Sequence, residues 1–369
     1  MTAPANPTDC SPMKKFTRAE CRRAQESLLT WFESAKRALP WRMHRNPYST
    51  WVSEIMLQQT QSATVIPYFE RWMKTYPNVS ALAKAREQDV LKLWEGLGYY
   101  SRARHMLRGA QLMVERHRGQ VPSDVADLRS IPGIGRYTAG AIASIAYQQP
   151  QPVLDGNVIR VLCRVRDLPG DPRRAPLHEH LWALARQLAT DTNAALVNES
   201  LMELGAVVCT PTKPGCSTCP LRQQCGALAN DHVEIRPTPA RRPTITQRVV
   251  TIAVVRKRGQ LLLKQQDTHA TQWAGLWTFL HWESRPSDNP EQSVTDWLNE
   301  RLGLTVASAT VFARGSYAIT RFRFHYVAVQ ALFRKLAKRR LPAGYAWVAC
   351  EHLDALAMPT PHRRLIQKL

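Results

Sequence analysis

Leu128 to Leu162 reads LRSIPGIGRYTAGAIASIAYQQPQPVLDGNVIRVL. Its front half, Ile131-Pro132-Gly133-Ile134-Gly135, is a tight hairpin between two apolar helical segments. Gly133 and Gly135 accept positive φ and leave backbone N–H groups exposed where the next helix starts. Such a nest, at the positive end of a helix dipole and next to Arg136, suits a phosphate. The back half carries Asp155 in a Val-Leu-Asp-Gly-Asn turn that opens another helix. One short segment can thus hold a polyanion backbone and aim a carboxylate at it. The same spacing also fits a plain helix connection with Asp155 as its N-cap.

Upstream of this stretch the apolar spacing is three and four, and strand-like alternation is nearly absent. Residues 17–38 carry one helical rhythm through Leu28, Leu29, Phe32 and Ala35, ended by Leu39-Pro40-Trp41-Arg42. Ser49 or Thr50 can cap a helix running from Trp51 to Thr60. Further helices are expected near 62–75, 80–93, 101–116, 123–129, 136–147, 157–166, 176–190 and 195–207. Residues 17–225 therefore read as an all-α region. Residues 1–16, rich in Pro, Thr and Ala at their start, read as a disordered N-terminus. After Cys225 the character changes. Residues 226–246 hold Pro237, Pro239 and Pro243 with little apolar content and read as a linker. From 247 to 369 alternation takes over, in 249–255, 261–263, 308–314, 322–332 and 346–349, with one helix near 291–302. That pattern is a separate α+β domain.

The formal charge is +21, with Arg and Lys scattered through the chain. Such a balance favours a polyanionic partner, nucleic acid ahead of a membrane surface. No apolar run reaches membrane-spanning length, and no secretory signal is visible. Of eight cysteines, Cys209, Cys216, Cys219 and Cys225 fall within seventeen residues, while Cys10, Cys21, Cys163 and Cys350 are scattered. That distribution reads as a metal site plus free thiols, not a disulfide framework. Four thiolates suit zinc or an iron–sulfur cluster, and spacing alone leaves both open.

Glu54 sits in Trp51-Val52-Ser53-Glu54-Ile55-Met56-Leu57, a helix apolar on nearly every side. Burial raises a carboxyl pKa and suits a general acid near neutral pH. A buried Glu paired with an Arg or bonded to a helix end is the plainer account. Asp155, at a helix N-terminus, is expected to stay ionised. A neutral acid and a charged one form a pair suited to breaking a glycosidic bond through an oxocarbenium-like state. Gln58-Gln59-Thr60-Gln61 follows Glu54, and amides can read base edges. Gly96-Leu97-Gly98-Tyr99-Tyr100-Ser101-Arg102-Ala103-Arg104 is a glycine turn, two aromatics and a basic helix start. It can wedge a ring into stacked bases, or simply pack its tyrosines into a core.

Taken together and in order, residues 39–42, 51–60, 96–100, 131–139, 154–158 and the four-cysteine loop resemble the helix-hairpin-helix DNA glycosylases, and among them the MutY-type adenine DNA glycosylases. The resemblance covers about residues 20–369. It implies a multidomain chain: a six-helix barrel over about 40–147, an iron–sulfur lobe from 17–39 plus 148–225, and a Nudix-like domain over 247–369. It implies a four-iron–four-sulfur (4Fe-4S) cluster on Cys209, Cys216, Cys219 and Cys225. The implied substrate is double-stranded DNA with adenine opposite 8-oxoguanine or guanine. By motif match, Glu54 protonates the flipped adenine and Asp155 stabilises or traps the sugar cation, with Tyr137 and Asn157 orienting them. Trp41, Arg42, Leu57 and Glu199 line the base pocket, and Gln59 and Tyr99 fill the gap in the duplex. Gly133, Gly135 and Arg136 hold the DNA backbone, joined by Lys213 and arginines near the cysteines.

Endonuclease III relatives carry a Lys where this chain has Tyr137. A phenol cannot form a Schiff base, so a monofunctional glycosylase is expected. The alternatives are a bifunctional glycosylase/lyase, or a non-enzymatic iron–sulfur protein that binds DNA. In the C-terminal domain, Gln272-Trp273-Ala274-Gly275-Leu276-Trp277 matches the Nudix-like pattern. Only Glu291 and Glu300 stand on its one helix, too few for the magnesium-binding helix of a Nudix hydrolase. Where the family often has Phe-Ser-His, this chain has Ile319-Thr320-Arg321, so Thr320 alone keeps a hydroxyl for the oxidised guanine. A monomer in a bacterial cytoplasm, associated with the nucleoid, is the expected setting.

Overall fold

The structure is a computed structural model that describes residues 15–43, 45–190, 193–239, 244–337 and 340–369. Most of the expected disordered terminus (1–14) and residues 240–243 of the expected linker lie outside the described residues. The chain forms two compact units, Met1–Lys84 with Arg108–Arg241 and Ala85–Leu107 with Arg242–Leu369.

The first unit is helical. It contains α1 (Arg18–Ala35), α2 (Pro40–Met43), α3 (Pro47–Leu57), α4 (Ser62–Thr75) and α5 (Val79–Ala83). After α6 (Glu87–Leu93), which belongs to the second unit, α7 (Ser101–His117) returns the chain to the first. It continues with α8 (Val125–Ser130), α9 (Arg136–Tyr147), α10 (Gly156–Val165), α11 (Leu177–Leu188), α12 (Ala194–Val207) and α13 (Gly226–Ala229).

Several boundaries differ from the sequence reading for identifiable reasons. The cap of α3 is Asn46, not Ser49 or Thr50: its side chain accepts from Ser49 N–H at 2.8 Å, and Pro47 occupies the first turn. Phe16, assigned to the disordered terminus, is buried beneath the Arg166 guanidinium, 4.8 Å from its ring centre. The expected helix over 80–93 is two short helices, parted where the chain leaves one unit for the other. The start of the expected linker is tied down: Ala227 is fully buried, and Arg164 donates to the carbonyls of Val233 and Arg236.

Close approach between elements fixes two glycines. A Cβ on Gly140 of α9 would meet the Pro152 carbonyl oxygen at 2.3 Å. One on Gly205 of α12 would meet Asn157 Cβ at 2.5 Å. The segment carrying Asp155 and Asn157 therefore sits directly against α9 and α12, with Val153, Val158, Val161, Leu201 and Leu204 sealed in the core between them.

In the second unit seven strands form one sheet: β1 (Thr246–Lys257), β2 (Gln260–Gln265), β3 (Trp277–Thr278), β4 (Leu280–Ser284), β5 (Leu304–Ile319), β6 (Phe322–Leu336) and β7 (Tyr345–Ala349). The order is β3-β2-β1-β6-β5, with β4 on β1 and β7 on β2; β1 and β6 run parallel and the other pairs antiparallel. Ile252 and Val254 face a core that includes Leu365 of α15 (Thr360–Ile366). Ala253 and Val255 face Val294, Leu298 and Leu302 of α14 (Pro290–Leu302). Burial on both faces explains why β1 is a continuous apolar run.

Candidate active site

α3 is buried from Tyr48 to Met56, and Glu54 borders a cavity of about 890 Å³. Asp155 borders the same cavity from the mouth of α10. So do Trp41, Arg42, Leu57, Gln59, Tyr137, Asn157 and Glu199. The structure thus brings Glu54 and Asp155 to one cavity.

Glu54 is 6% exposed, and burial pushes its carboxyl up to about 7. The neighbouring Asp155 and Glu199 carboxylates push the same way; the Tyr137 hydroxyl and Arg42 oppose them. Tyr137 donates to Glu54 Oε2 at 2.5 Å. Its phenol is held well above its ordinary pKa by burial and the two carboxylates, so it remains a donor.

Asp155 is the N-cap of α10. Its Oδ1 accepts from Val158 N–H at 2.7 Å and its Oδ2 from Asn157 Nδ2 at 2.9 Å. Burial nevertheless raises its pKa above the ordinary carboxylate value, with these bonds in opposition. Burial and these hydrogen bonds thus act in opposite directions on the same carboxyl. Asn157 in turn accepts from Arg160 Nη2 at 2.9 Å, and Arg160 donates to the carbonyls of Gly205 and Cys209, both at 2.7 Å.

Glu199, 4% exposed, receives Arg42 Nε at 3.3 Å and Arg45 at 2.8 Å. One turn on, Glu203 is 1% exposed and takes Arg37 at 2.7 and 3.0 Å and Arg42 at 3.0 Å. Burial raises the Glu203 carboxyl, but these guanidinium bonds outweigh it and hold it below the ordinary value. The sequence reading missed Glu203, Arg37, Arg45 and Arg160. The signal was present: two acids four residues apart on the apolar helix LVNESLMELGAV need cations facing them.

At the hairpin, Gly133 takes φ +84°, but Gly135 is extended at φ −89° as the N-cap of α9. Gly135 needs no left-handed backbone; open space surrounds the position of its missing Cβ. Arg136 bonds Glu179 at 3.0 Å and lies 4.0 Å over the Trp182 ring.

The four cysteines border one small pocket with Arg164 and Arg222, although no three acidic, thiol or imidazole side chains among the described residues converge on a single ion position. Arg164, 2% exposed, organises the loop: Nη1 donates to Thr210 O at 2.7 Å and Cys209 Sγ at 3.4 Å, and Nη2 to Pro211 O at 3.2 Å. Four thiols around a shared pocket, with a guanidinium donor on one sulfur, are a donor set that fits a thiolate-held cluster.

Tyr99 and Thr320 lie in the second unit and border a different cavity, of about 590 Å³, with Trp273, Tyr317 and Arg364. Thr320 is at the tip of the β5–β6 hairpin and donates to its own Ile319 carbonyl at 2.7 Å.

Residues 52–187 match the HhH-GPD superfamily of base excision DNA repair proteins, and residues 250–368 match the NUDIX domain. An adenine DNA glycosylase of Buchnera aphidicola from Acyrthosiphon pisum is 32% identical over 275 residues, 74% of this chain and 77% of that protein. The chain belongs to the adenine DNA glycosylase family. The rat adenine DNA glycosylase is 48% identical over 230 residues, 60% of this chain and 45% of its own length. The chain thus spans less than half the length of the mammalian relatives it matches. The solved structure of a thermostable thymine-DNA glycosylase, 24% identical, covers 57% of this chain and 97% of its own at a TM-score of 0.52, a likeness of fold. No helix among the described residues is long and apolar enough to cross a membrane.

Proposed function

We propose that the chain hydrolyses the N-glycosidic bond of adenine in duplex DNA, opposite 8-oxoguanine or guanine. One observation carries this reading: Glu54, with its carboxyl near 7, and Asp155 face one cavity large enough for a flipped nucleotide. With its carboxyl near 7, Glu54 is protonated in a substantial fraction of molecules at neutral pH and gives that proton to a ring nitrogen of the extruded base, making the leaving group neutral. Tyr137 fixes the Glu54 carboxyl. Asp155, held by Val158 N–H and Asn157, faces the sugar as positive charge develops and stabilises or captures it. Arg42, bridging Glu199 and Glu203, braces the pocket wall with Trp41 and Leu57.

The lining of this cavity contains no lysine among the described residues, and Tyr137 replaces the amine a lyase would need. Both support a monofunctional enzyme over a glycosylase/lyase. The backbone of the Gly133–Gly135 hairpin binds phosphate, and Tyr99, Gln59 and Thr320 meet the opposite strand. Cys209, Cys216, Cys219 and Cys225 would hold a 4Fe-4S cluster; four thiols bordering one pocket support this reading. Such a group cross-links its loop and can exchange an electron. The proposed domain division keeps a catalytic region ending near 225 and a recognition domain from 247, although residues 85–107 group with the latter.

The test is release of free adenine from a duplex with one adenine–8-oxoguanine pair. Glu54→Gln is expected to bind that duplex and release nothing; full release by this variant rules the mechanism out. Efficient borohydride trapping of the parent on DNA would favour the lyase reading instead.

A further inference from the structure

Residues 85–107, which hold the glycine turn, fold with the C-terminal sheet and not with the rest of the helical region. The turn itself is an unusual backbone. Gly96, Gly98 and Tyr99 all have positive φ, at 106°, 70° and 45°. A tyrosine in the left-handed region is strained and must be held there by its surroundings. The residue is 49% exposed, with the Arg102 guanidinium 5.8 Å from its ring centre, so burial does not hold it there.

Side-chain bonds hold the turn from two directions, and Lys92 also donates to Glu95 at 3.1 Å. The first is local: Arg102 donates to the carbonyls of Leu97 at 3.0 Å and Gly98 at 3.3 Å, and Trp94 Nε1 to Gly98 O at 3.0 Å. The second comes from 268 residues further along the chain. Arg363 forms a bidentate pair with Glu95, the residue just before Gly96, at 2.7 and 3.1 Å. Met358 N–H reaches the same carboxylate at 3.3 Å, and Tyr100 OH donates to Met358 O at 3.4 Å. Both charged side chains are mostly shielded, 15% and 17% exposed, so the pair is screened weakly by salt and fixed in direction by its fork geometry. Arg363 is itself oriented by the carbonyls of Leu353 at 2.9 Å and Leu356 at 2.6 Å.

We propose that Arg363 is a positioning residue for Tyr99: by gripping Glu95 it sets the glycine turn that presents the Tyr99 ring to the DNA. The C-terminal domain thereby acts on the gap-filling aromatic as well as on the base beside it. The proposal rests on the reading of Tyr99 as a side chain that enters the duplex.

The experiment uses the full chain carrying Glu54→Gln, so that DNA is bound and not cut. The duplex carries fluorescent 2-aminopurine next to the 8-oxoguanine; unstacking brightens it. Binding is expected to raise the signal in the Glu54→Gln parent. Tyr99→Ala loses this rise, and its Kd increases about tenfold, the usual weight of one stacked aromatic. Arg363→Met is expected to lose the rise at saturating protein to a similar extent. The double variant is no worse than Tyr99→Ala alone, because both changes remove one interaction. Arg363→Lys, and the exchanged pair Glu95→Arg with Arg363→Glu, recover part of the rise. Glu95→Gln serves if Arg363→Met fails to fold, and is expected to lose the rise in the same way. A role confined to holding the domain together lowers the melting temperature but leaves the saturated signal unchanged, and that result overturns the proposal. So do losses in the two single variants that multiply in the double. If Tyr99→Ala itself leaves signal and Kd unchanged, the duplex-entering reading of Tyr99 falls first, and the role of Arg363 falls with it.

Discussion

In the proposed reaction Glu54 concentrates the chemistry because burial outweighs the opposing Tyr137 hydroxyl and Arg42 charge. Glu199 and Glu203 are equally buried yet take two guanidinium groups each. Glu54 receives one phenol, so burial dominates and its carboxyl rises to about 7. The rate of the chemical step is therefore expected to fall about tenfold per pH unit above roughly 7, as the proton is lost. Its acid limb is set by Asp155, whose carboxyl burial also raises. Because the Tyr137 hydroxyl lowers the Glu54 value, Tyr137→Phe should shift the alkaline limb to higher pH; single-turnover rates between pH 5 and 9 measure this, and an unmoved limb removes Tyr137 from control of the acid. Stability follows the same proton. The folded value lies above the ordinary 4.5. The protonated state thus supports folding fully at pH below 4.5, and that support is lost as pH rises through about 7. The span corresponds to about 3 kcal/mol. Glu54→Gln should accordingly gain on the parent in melting temperature as pH goes from 5 to 8; a constant difference contradicts the raised value.

At the scale of elements, the site depends on how tightly α10 meets α12. Gly205 leaves no room for a methyl group beside Asn157. Gly205→Ala should push Asn157 away, disturb its bond to Asp155 and cost about 1–3 kcal/mol of stability by overpacking. The expected kinetic result is a lower single-turnover rate with a nearly unchanged Kd for mispaired DNA; an unaltered rate means the helices yield elsewhere. Glu203→Ala strands Arg42 and Arg37 and is expected to destabilise by about 3 kcal/mol in urea unfolding, with Glu203→Gln costing less. Much at this scale was legible. α9, α10 and α12 announce themselves by apolar spacing, α3 by an apolar run after Asn46-Pro47, and Asp155 by its place before Gly156-Asn157. The break near Lys84 was not, since ALAKAREQ has neither Gly nor Pro and only tertiary packing divides it. The two-residue β3 was equally silent, being too short for any alternation to show.

For the whole molecule, the charge of +21 is a statement about partners that no single residue makes. The helical region and the sheet domain could be told apart by period alone, and the switch falls close to where β1 starts at Thr246. What period could not show is that residues 85–107 fold with the far end of the chain, because Glu95 meets Arg363 only through tertiary structure. The cationic excess separates affinity from selectivity. Phosphate contacts by Lys and Arg release counterions whatever the sequence, whereas in the proposed reaction the extrusion of adenine into the Glu54 cavity depends on the mispair. With Glu54→Gln protein, log Kd for mispaired and for fully paired duplexes should therefore rise with log salt along parallel lines. A footprint of about six phosphates gives slopes near 5, and the two lines differ by an offset that salt does not alter. Tyr99→Ala should narrow that offset and leave both slopes in place, since a ring carries no charge. Fluorescence anisotropy from 50 to 300 mM salt, a range of about sixfold, resolves slopes of this size. Converging lines would place the discrimination in the phosphate contacts themselves and take it away from the cavity shared by Glu54 and Asp155.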